Sequence, residues 1–360
     1  MKRPLALTIG LCLAAIAGLA AQSRSAGGPP AFQVDPSWPA IPNGWIFGEV
    51  SSVAVDPQDR VWILHRPLTV PAEQRSKAAP PVTVFDSNGR FIQSWGGPGA
   101  GYDWPEREHG IYIDPKGFVW IGGNNGYGTP APPGDSDDMI LKFTMEGKFL
   151  LQVGHRNQSR GNADTANLHQ PADSFYSPRT NEIFVADGYG NQRVIVLDAD
   201  TGAFKRMWGA FGNKPEATAA AAAPASSGDG PSQFGLVHSI KVSADGMVYV
   251  ADRSNHRIQV FTSDGKFVAQ KLIGTMGQTA AGLAFSPDAQ QEFLYVANLG
   301  DSEILVLNRK TLEIISRFGK RGNDRGEFNI LHHLAADSKG NLYTAEIGQG
   351  RRAQKFVPVR

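Results

Sequence analysis

The stretch Ser232–Phe267, SQFGLVHSIKVSADGMVYVADRSNHRIQVFTSDGKF, decides the fold. Apolar and polar residues alternate over His238–Val242, Val248–Ala251 and Arg257–Phe261, and the runs are separated by Ala-Asp-Gly, Asp-Arg-Ser-Asn-His and Ser-Asp-Gly. β-Branched and aromatic residues between turn formers predict antiparallel strands joined by tight turns. Lys266–Leu272 supplies a fourth strand. Four short strands in ~40 residues make one propeller blade, which cannot bury both of its faces alone.

The partner blades lie along the same chain. Repeat one begins at Val50 and contains SSVAVDPQDRVWILHR and VTVFDSNGRFIQSWG. Repeat two is HGIYIDPKGFVWIGG, a loop over 124–138, then MILKFTMEGKFLLQVG. Repeat three runs ADSFYSPRTNEIFVADGYGNQRVIVLDADTGAFKRMWG, and the stretch quoted first is repeat four. Repeat five is AGLAFSPDAQQEFLYVANLGDSEILVLNRKTLEIISRFG, and repeat six, HHLAADSKGNLYTAEIGQGRRAQKFVPV, ends after its third strand. An all-β, six-bladed propeller follows, with the missing outer strand donated by the N-terminal segment near Phe32–Trp38 so that no edge is left free. The domain plan is a leader over 1–21, a lead and closing strand over 22–47, and the propeller over 48–360. The Ala/Pro/Ser/Gly tract 216–231 reads as a low-complexity surface loop.

The opening MKRPLALTIGLCLAAIAGLAAQ has two basic residues, an apolar run and small residues around Ala17–Ala21. It predicts a cleaved signal peptide and a secreted or periplasmic protein, with no membrane association after cleavage. Cys12 lies inside the leader, so the mature chain has no disulfide. Removing Lys2 and Arg3 from the 35 basic side chains leaves 33 against 34 acidic ones. No block of like charge remains, which argues against nucleic acid and anionic membrane as partners.

The repeats can be aligned on the residue two before the first Ile, Leu or Val of each inner strand. Around the ring that position holds Ser51, His109, Ala172, His238, Ala281 and His332. Histidine recurs in alternate blades and small residues fill the gaps. Innermost strands surround the propeller axis, so three imidazoles converge with near-threefold symmetry. Three neutral imidazoles with an open position describe a catalytic zinc site. Successive strand residues point to opposite sides, so His332 and His333 are not expected to share one ion, and the common offset selects His332. The ends of the second strands form another ring, Arg66, Asn124, Gly188, Arg253, Leu299 and Ile347, with Tyr189 one step beyond Gly188. An arginine and a metal beside a tyrosine favour its phenolate, which can act as a base. The structural alternative for Arg253 is an ion pair with Asp252 or Asp187.

The pattern V-A-D-x-x-N-x-R-I-x-V-F, clearest at Val250–Phe261 and Val185–Leu197, resembles the NHL repeat. A more specific resemblance is to the peptidyl-α-hydroxyglycine α-amidating lyases. It is carried by LHR (Leu64–Arg66), EHGIYID (Glu108–Asp114), QPADSFYSPRTNEIFVADGYGNQR (Gln170–Arg193), QFGLVHSIKVS (Gln233–Ser243), VADRSNHRIQVF and HHLAADSKGNLY (His332–Tyr343). The resemblance implies zinc on His109, His238 and His332, Tyr189 as base on the substrate hydroxyl, and Arg66 and Arg253 orienting the substrate carboxylate or the tyrosine. The implied reaction breaks the C–N bond of a peptidyl-α-hydroxyglycine, or a similar α-hydroxy amide, to an amide and glyoxylate. Separately from the resemblance, a monomer is expected. The chain departs from the family at three places. His169 and Gly190 stand where two disulfide cysteines are expected, and Ile330 replaces a methionine. The implied axial calcium uses carbonyls at Val53 and Ile111 plus an Asp, and that Asp is His333 here, a poor calcium ligand. Two other readings stand beside the lyase: a non-catalytic propeller binding a peptide, glycan or protein, and a calcium-dependent lactonase-like hydrolase.

Overall fold

In repeats one, two and six, the hairpin between the first two strands is built by one recurring device. Asp56, at the turn after the first strand, accepts hydrogen bonds from the Gln58 and Arg60 amides and, at 2.8 Å, from the indole Nε1 of Trp62 on the second strand. Asp114 binds Trp120 in the same way at 3.0 Å, and Asp337 accepts from the Tyr343 hydroxyl at 2.9 Å. Each carboxylate closes the turn and satisfies the polar tip of a buried aromatic, so a wide ring can fill the inter-blade core without a stranded donor.

A computed structural model describes residues 28–127, 134–216, 230–274 and 279–359. The leader and all but the ends of the 216–231 tract lie outside them. The described strands form six four-stranded antiparallel sheets. Their inner strands are Glu49–Val55, Glu108–Ile113, Asp173–Ser177, Val237–Val242, Ala280–Phe285 and Ile330–Ala336, for blades one to six. Blade four follows the sequence reading closely, with strands at Val237–Val242, Val248–Asp252, Arg257–Phe261 and Phe267–Leu272.

The ring closes as expected. Ala31–Asp35 pairs antiparallel with Arg352–Val359 as the outer strand of blade six, in the order first strand, last strand, Leu342–Ile347, inner strand. Phe32 pins it by stacking on Phe318 at 5.0 Å and meeting Tyr295 edge-on at 5.8 Å. Apolar clusters fill the spaces between neighbouring blades; one joins Phe184, Val194 and Trp208 of blade three to Ile240, Val250 and Phe261 of blade four. Among the described residues no helix is long and apolar enough to cross a membrane.

The N-x-R element of the repeat has its own role. Asp252 Oδ2 accepts from Arg257 Nε and from Asn255 Nδ2, both at 2.8 Å, while its Oδ1 takes the Gly235 and Leu236 amides. Asp187 does the same with Arg193, Asn191 and the His169 amide. All four ion-pair side chains are fully buried. These carboxylates are therefore spent on Arg257 and Arg193, which leaves Arg253 free to turn towards the axis.

Candidate metal centre

The backbone explains why the histidines point inward. In blades two, four and six the inner-strand register shifts between Glu108 and Gly110, between Val237 and Ser239, and between Leu331 and His333. Each histidine is thus the extra residue of a β-bulge, unpaired in the ladder and re-aimed by it. The small residues Ser51 and Ala281 occupy the same bulge in blades one and five. Bulging also separates His332 from His333, which stays in register opposite Ala345.

The small residues do more than leave room. His109 Nδ1 donates to the Ala172 carbonyl at 2.7 Å, His238 Nδ1 to Ala281 at 2.6 Å and His332 Nδ1 to Ser51 at 2.6 Å. Every histidine is oriented by the backbone of the next blade round the ring. Close approach is possible because Gly110 lies against the Ala172 carbonyl, where a Cβ would sit 2.4 Å from that oxygen. A carbonyl only accepts, so Nδ1 carries the proton and each Nε2 presents a lone pair. Burial first, and then neighbouring imidazole and guanidinium charges, hold all three well below the ordinary imidazole pKa, so the rings are neutral.

These lone pairs converge. The ligand atoms lie within 4.8 Å of one another, and the ring centroids are 4.8–4.9 Å apart. Among the described residues their only hydrogen-bond partner is the Tyr189 hydroxyl, 2.8 Å from His109 Nε2 and 3.0 Å from His238 Nε2. A phenol has one proton to give to two of these acceptors, so the site is rich in donor electrons and poor in hydrogens. Three buried, neutral, backbone-oriented imidazoles are the donor set of a divalent transition metal. The residues fit the zinc that the resemblance implies.

Tyr189 reaches the histidines because Gly188 packs on blade four beside His238; a Cβ there would lie 2.1 Å from the Val237 oxygen. Arg253 Nη1 donates to the Tyr189 oxygen at 3.1 Å, its guanidinium lies over the tyrosine ring, and its Nε is buried without a partner. Arg66 is engaged elsewhere: Nη1 on Glu49 at 2.6 Å, Nε on the Glu108 carbonyl at 2.8 Å and Nη2 towards Asn124 at 3.4 Å. Its guanidinium is thus neutralised by Glu49 and bears on the site through position and field.

Two residues escape the sequence alignment. Tyr127 meets the Tyr189 ring edge-on at 4.5 Å. Arg107, two residues before His109, has no side-chain hydrogen bond or ion pair among the described residues. Burial, and then Arg66, lowers its pKa, while Tyr189, Glu49 and Tyr127 act the other way, which places its charge among these groups. The E-R-E-H order was the available signal, because an arginine beside an inward-facing histidine reaches the same mouth. At the missing-disulfide positions, His169 covers Gly190 so closely that a Cβ would fall 2.3 Å from the imidazole, and the Gly190 amide donates to the His169 carbonyl at 3.0 Å. Backbone and ring packing fill the space of the absent bridge.

A family model for the NHL repeat matches residues 234–261. NHL repeat-containing protein 3 of Mus musculus is 28% identical over 337 residues, covering 91% of this chain and 85% of that protein. Peptidyl-alpha-hydroxyglycine alpha-amidating lyase 2 of Drosophila melanogaster is 25% identical over 349 residues, covering 89% of this chain and 74% of that protein. Peptidyl-glycine alpha-amidating monooxygenase B of Xenopus laevis is 27% identical over 355 residues, covering 91% of this chain and 35% of its own length. The chain is a six-bladed propeller with one segment that matches the NHL repeat, and it is similar to the amidating lyases.

Proposed function

We propose that this protein is an exported, zinc-dependent lyase that cleaves the C–N bond of a peptidyl-α-hydroxyglycine, or a close α-hydroxy amide, to an amide and glyoxylate. The observation that carries the reading is the Tyr189 hydroxyl within hydrogen-bond distance of two convergent histidines and of Arg253. Similarity to the amidating lyases supports it.

Zinc on His109, His238 and His332 would supply a Lewis acid for the substrate hydroxyl. The chain's own residues do the rest. Tyr189, as phenolate, takes the hydroxyl proton at its oxygen. As the C–O bond becomes a carbonyl, the C–N bond breaks and the amide nitrogen leaves with its electron pair and takes the proton back from Tyr189, which restores the phenolate and consumes no water. Arg253 keeps its Nη1 on the Tyr189 oxygen, the donor a phenolate needs while it waits for substrate. The substrate carboxylate, which becomes the glyoxylate carboxylate, is bound by Arg107 and the unspent donors of Arg253, because Arg66 already holds Glu49. Tyr127 supports the tyrosine ring by edge-on contact.

The test is glyoxylate release from α-hydroxyhippurate by the purified protein, before and after metal removal and zinc readdition. Turnover that is lost and regained with zinc is expected; a protein fully loaded with zinc and inert towards α-hydroxy amides contradicts the proposal. The second reading, a binding platform without turnover, draws on the equally long similarity to NHL repeat-containing protein 3. It requires partner binding that survives His109→Ala, His238→Ala and His332→Ala.

A further inference from the structure

A second polar cluster lies on the propeller axis, in residues the proposed reaction does not use. The inner strands enclose an axial cavity of about 200 Å³ whose lining includes Val53, Ile111, Phe175, Lys241, Leu283 and His333. Beside it, Asp173 of blade three is buried with its carboxylate almost wholly out of solvent. Its Oδ2 accepts from Lys241 Nζ at 2.7 Å, the Ser239 hydroxyl at 2.7 Å and the Ile240 amide at 3.1 Å. Its Oδ1 accepts the Ser174 amide at 2.9 Å. Three consecutive residues of blade four thus grip one carboxylate of blade three. Lys241 is itself 8% exposed, and its ammonium also faces the Phe175 ring at 5.6 Å. His333 Nε2 stands 3.6 Å from Asp173 Oδ2, and neither ring nitrogen of this buried histidine has a hydrogen-bond partner among the described residues.

The calcium that the family resemblance implies does not fit this cluster. Calcium takes six to eight oxygen ligands at ~2.3–2.6 Å. Here the oxygen-bearing side chain expected beside the last histidine is an imidazole. The carboxylate that is present, Asp173, has its Oδ2 saturated by three donors, one of them a full positive charge. A divalent ion brought to that oxygen would meet an ammonium already in contact with it. Yet the electrostatic need for a cation is real, because a buried carboxylate without a counter-charge is strongly destabilising.

We propose that the Lys241 ammonium is this chain's own axial cation, taking the place of the calcium that the resemblance implies, so that the hub is neutralised and blades three and four are tied together without a second metal. The role is covalent to the chain, so it is independent of the calcium content of the compartment.

The test follows thermal unfolding and bound calcium in the purified protein and two variants. After dialysis against CaCl2 and then buffer, the wild type retains no calcium, and added CaCl2 leaves its Tm unchanged. Lys241→Met strands Asp173, lowers Tm by roughly 5–10 °C, and regains part of the loss when CaCl2 or MnCl2 is added. Asp173→Asn/Lys241→Met removes both charges and is more stable than Lys241→Met without any metal. Stoichiometric calcium in the wild type with a rise in Tm overturns the proposal. So does a Lys241→Met protein as stable as wild type, or one that is destabilised and insensitive to both cations. If Lys241→Met does not fold, the double variant decides: folding supports the charge argument, and failure to fold overturns it.

Discussion

Tyr189→Phe removes one oxygen and keeps the ring. The edge-on contacts to Tyr127 at 4.5 Å and His109 at 4.8 Å involve the ring and survive the change. What disappears is the group bonded to His109 Nε2, His238 Nε2 and Arg253 Nη1. Stability changes little, by about 1–3 kcal/mol at most, the cost of leaving the Arg253 donor without its acceptor. The three histidines proposed to hold zinc are unchanged, so metal content should match that of the wild type. Turnover is another matter. A positioned base contributes ~10²–10⁴-fold, so kcat for α-hydroxyhippurate should fall by that factor, about 3–5 kcal/mol in barrier. KM should move little, because Arg107 and Arg253, the residues proposed to bind the carboxylate, are both kept. The assay is initial-rate glyoxylate release with metal content measured on the same sample. A zinc-loaded Phe variant within tenfold of the wild-type kcat would refute the role given to this hydroxyl.

Other expectations are separate from that one. Arg107→Leu should raise KM for α-hydroxyhippurate at least tenfold with kcat nearly constant, and should not weaken binding of an analogue whose carboxylate is amidated; equal losses for both ligands would show that Arg107 shapes the fold and not the carboxylate site. His65 should make the fold acid-labile. Its Nε2 donates to the Ala79 and Pro80 carbonyls at 3.0 and 3.1 Å while its Nδ1 accepts the Gly48 amide at 3.1 Å, and burial lowers its pKa from 6.5 to about 4. Above pH 6.5 neither state is charged at this residue; as pH falls below it the unfolded chain gains a proton that the folded chain refuses. The resulting loss reaches about 3 kcal/mol near pH 4. Tm measured between pH 7 and pH 4.5 should therefore fall less steeply in His65→Asn than in wild type, and parallel curves would remove His65 from the explanation.

Sequence periodicity exposed the fold because strand alternation and turn chemistry are local. SADG between Val242 and Met247 and TSDG before Lys266 mark hairpins whatever the rest of the chain does. Ring closure was legible too, since repeat six lacks an outer strand and AFQVD is a strand without a sheet. At the site, the alternation of His109, His238 and His332 with Ser51, Ala172 and Ala281 was visible as a pattern. The bulges that aim these residues were not, because a bulge is a register shift between two strands and leaves no mark on one strand read alone. Hydrogen-bond allegiance was equally hidden. Arg66 and Arg253 look equivalent at the ends of their second strands, yet Glu49 claims one and Tyr189 the other. Lys241 reads as an ordinary polar residue of an alternating strand, and only the closure of the ring places it against Asp173.

The central claim is that three imidazoles from alternate blades hold one catalytic metal. Elemental analysis of the purified protein and of His238→Ala tests it most directly. The account predicts about one zinc per chain in the wild type, as three histidine ligands with an open position require, and its loss together with glyoxylate release in the variant. A wild-type protein that turns over without metal, or a variant that keeps its zinc, would contradict it.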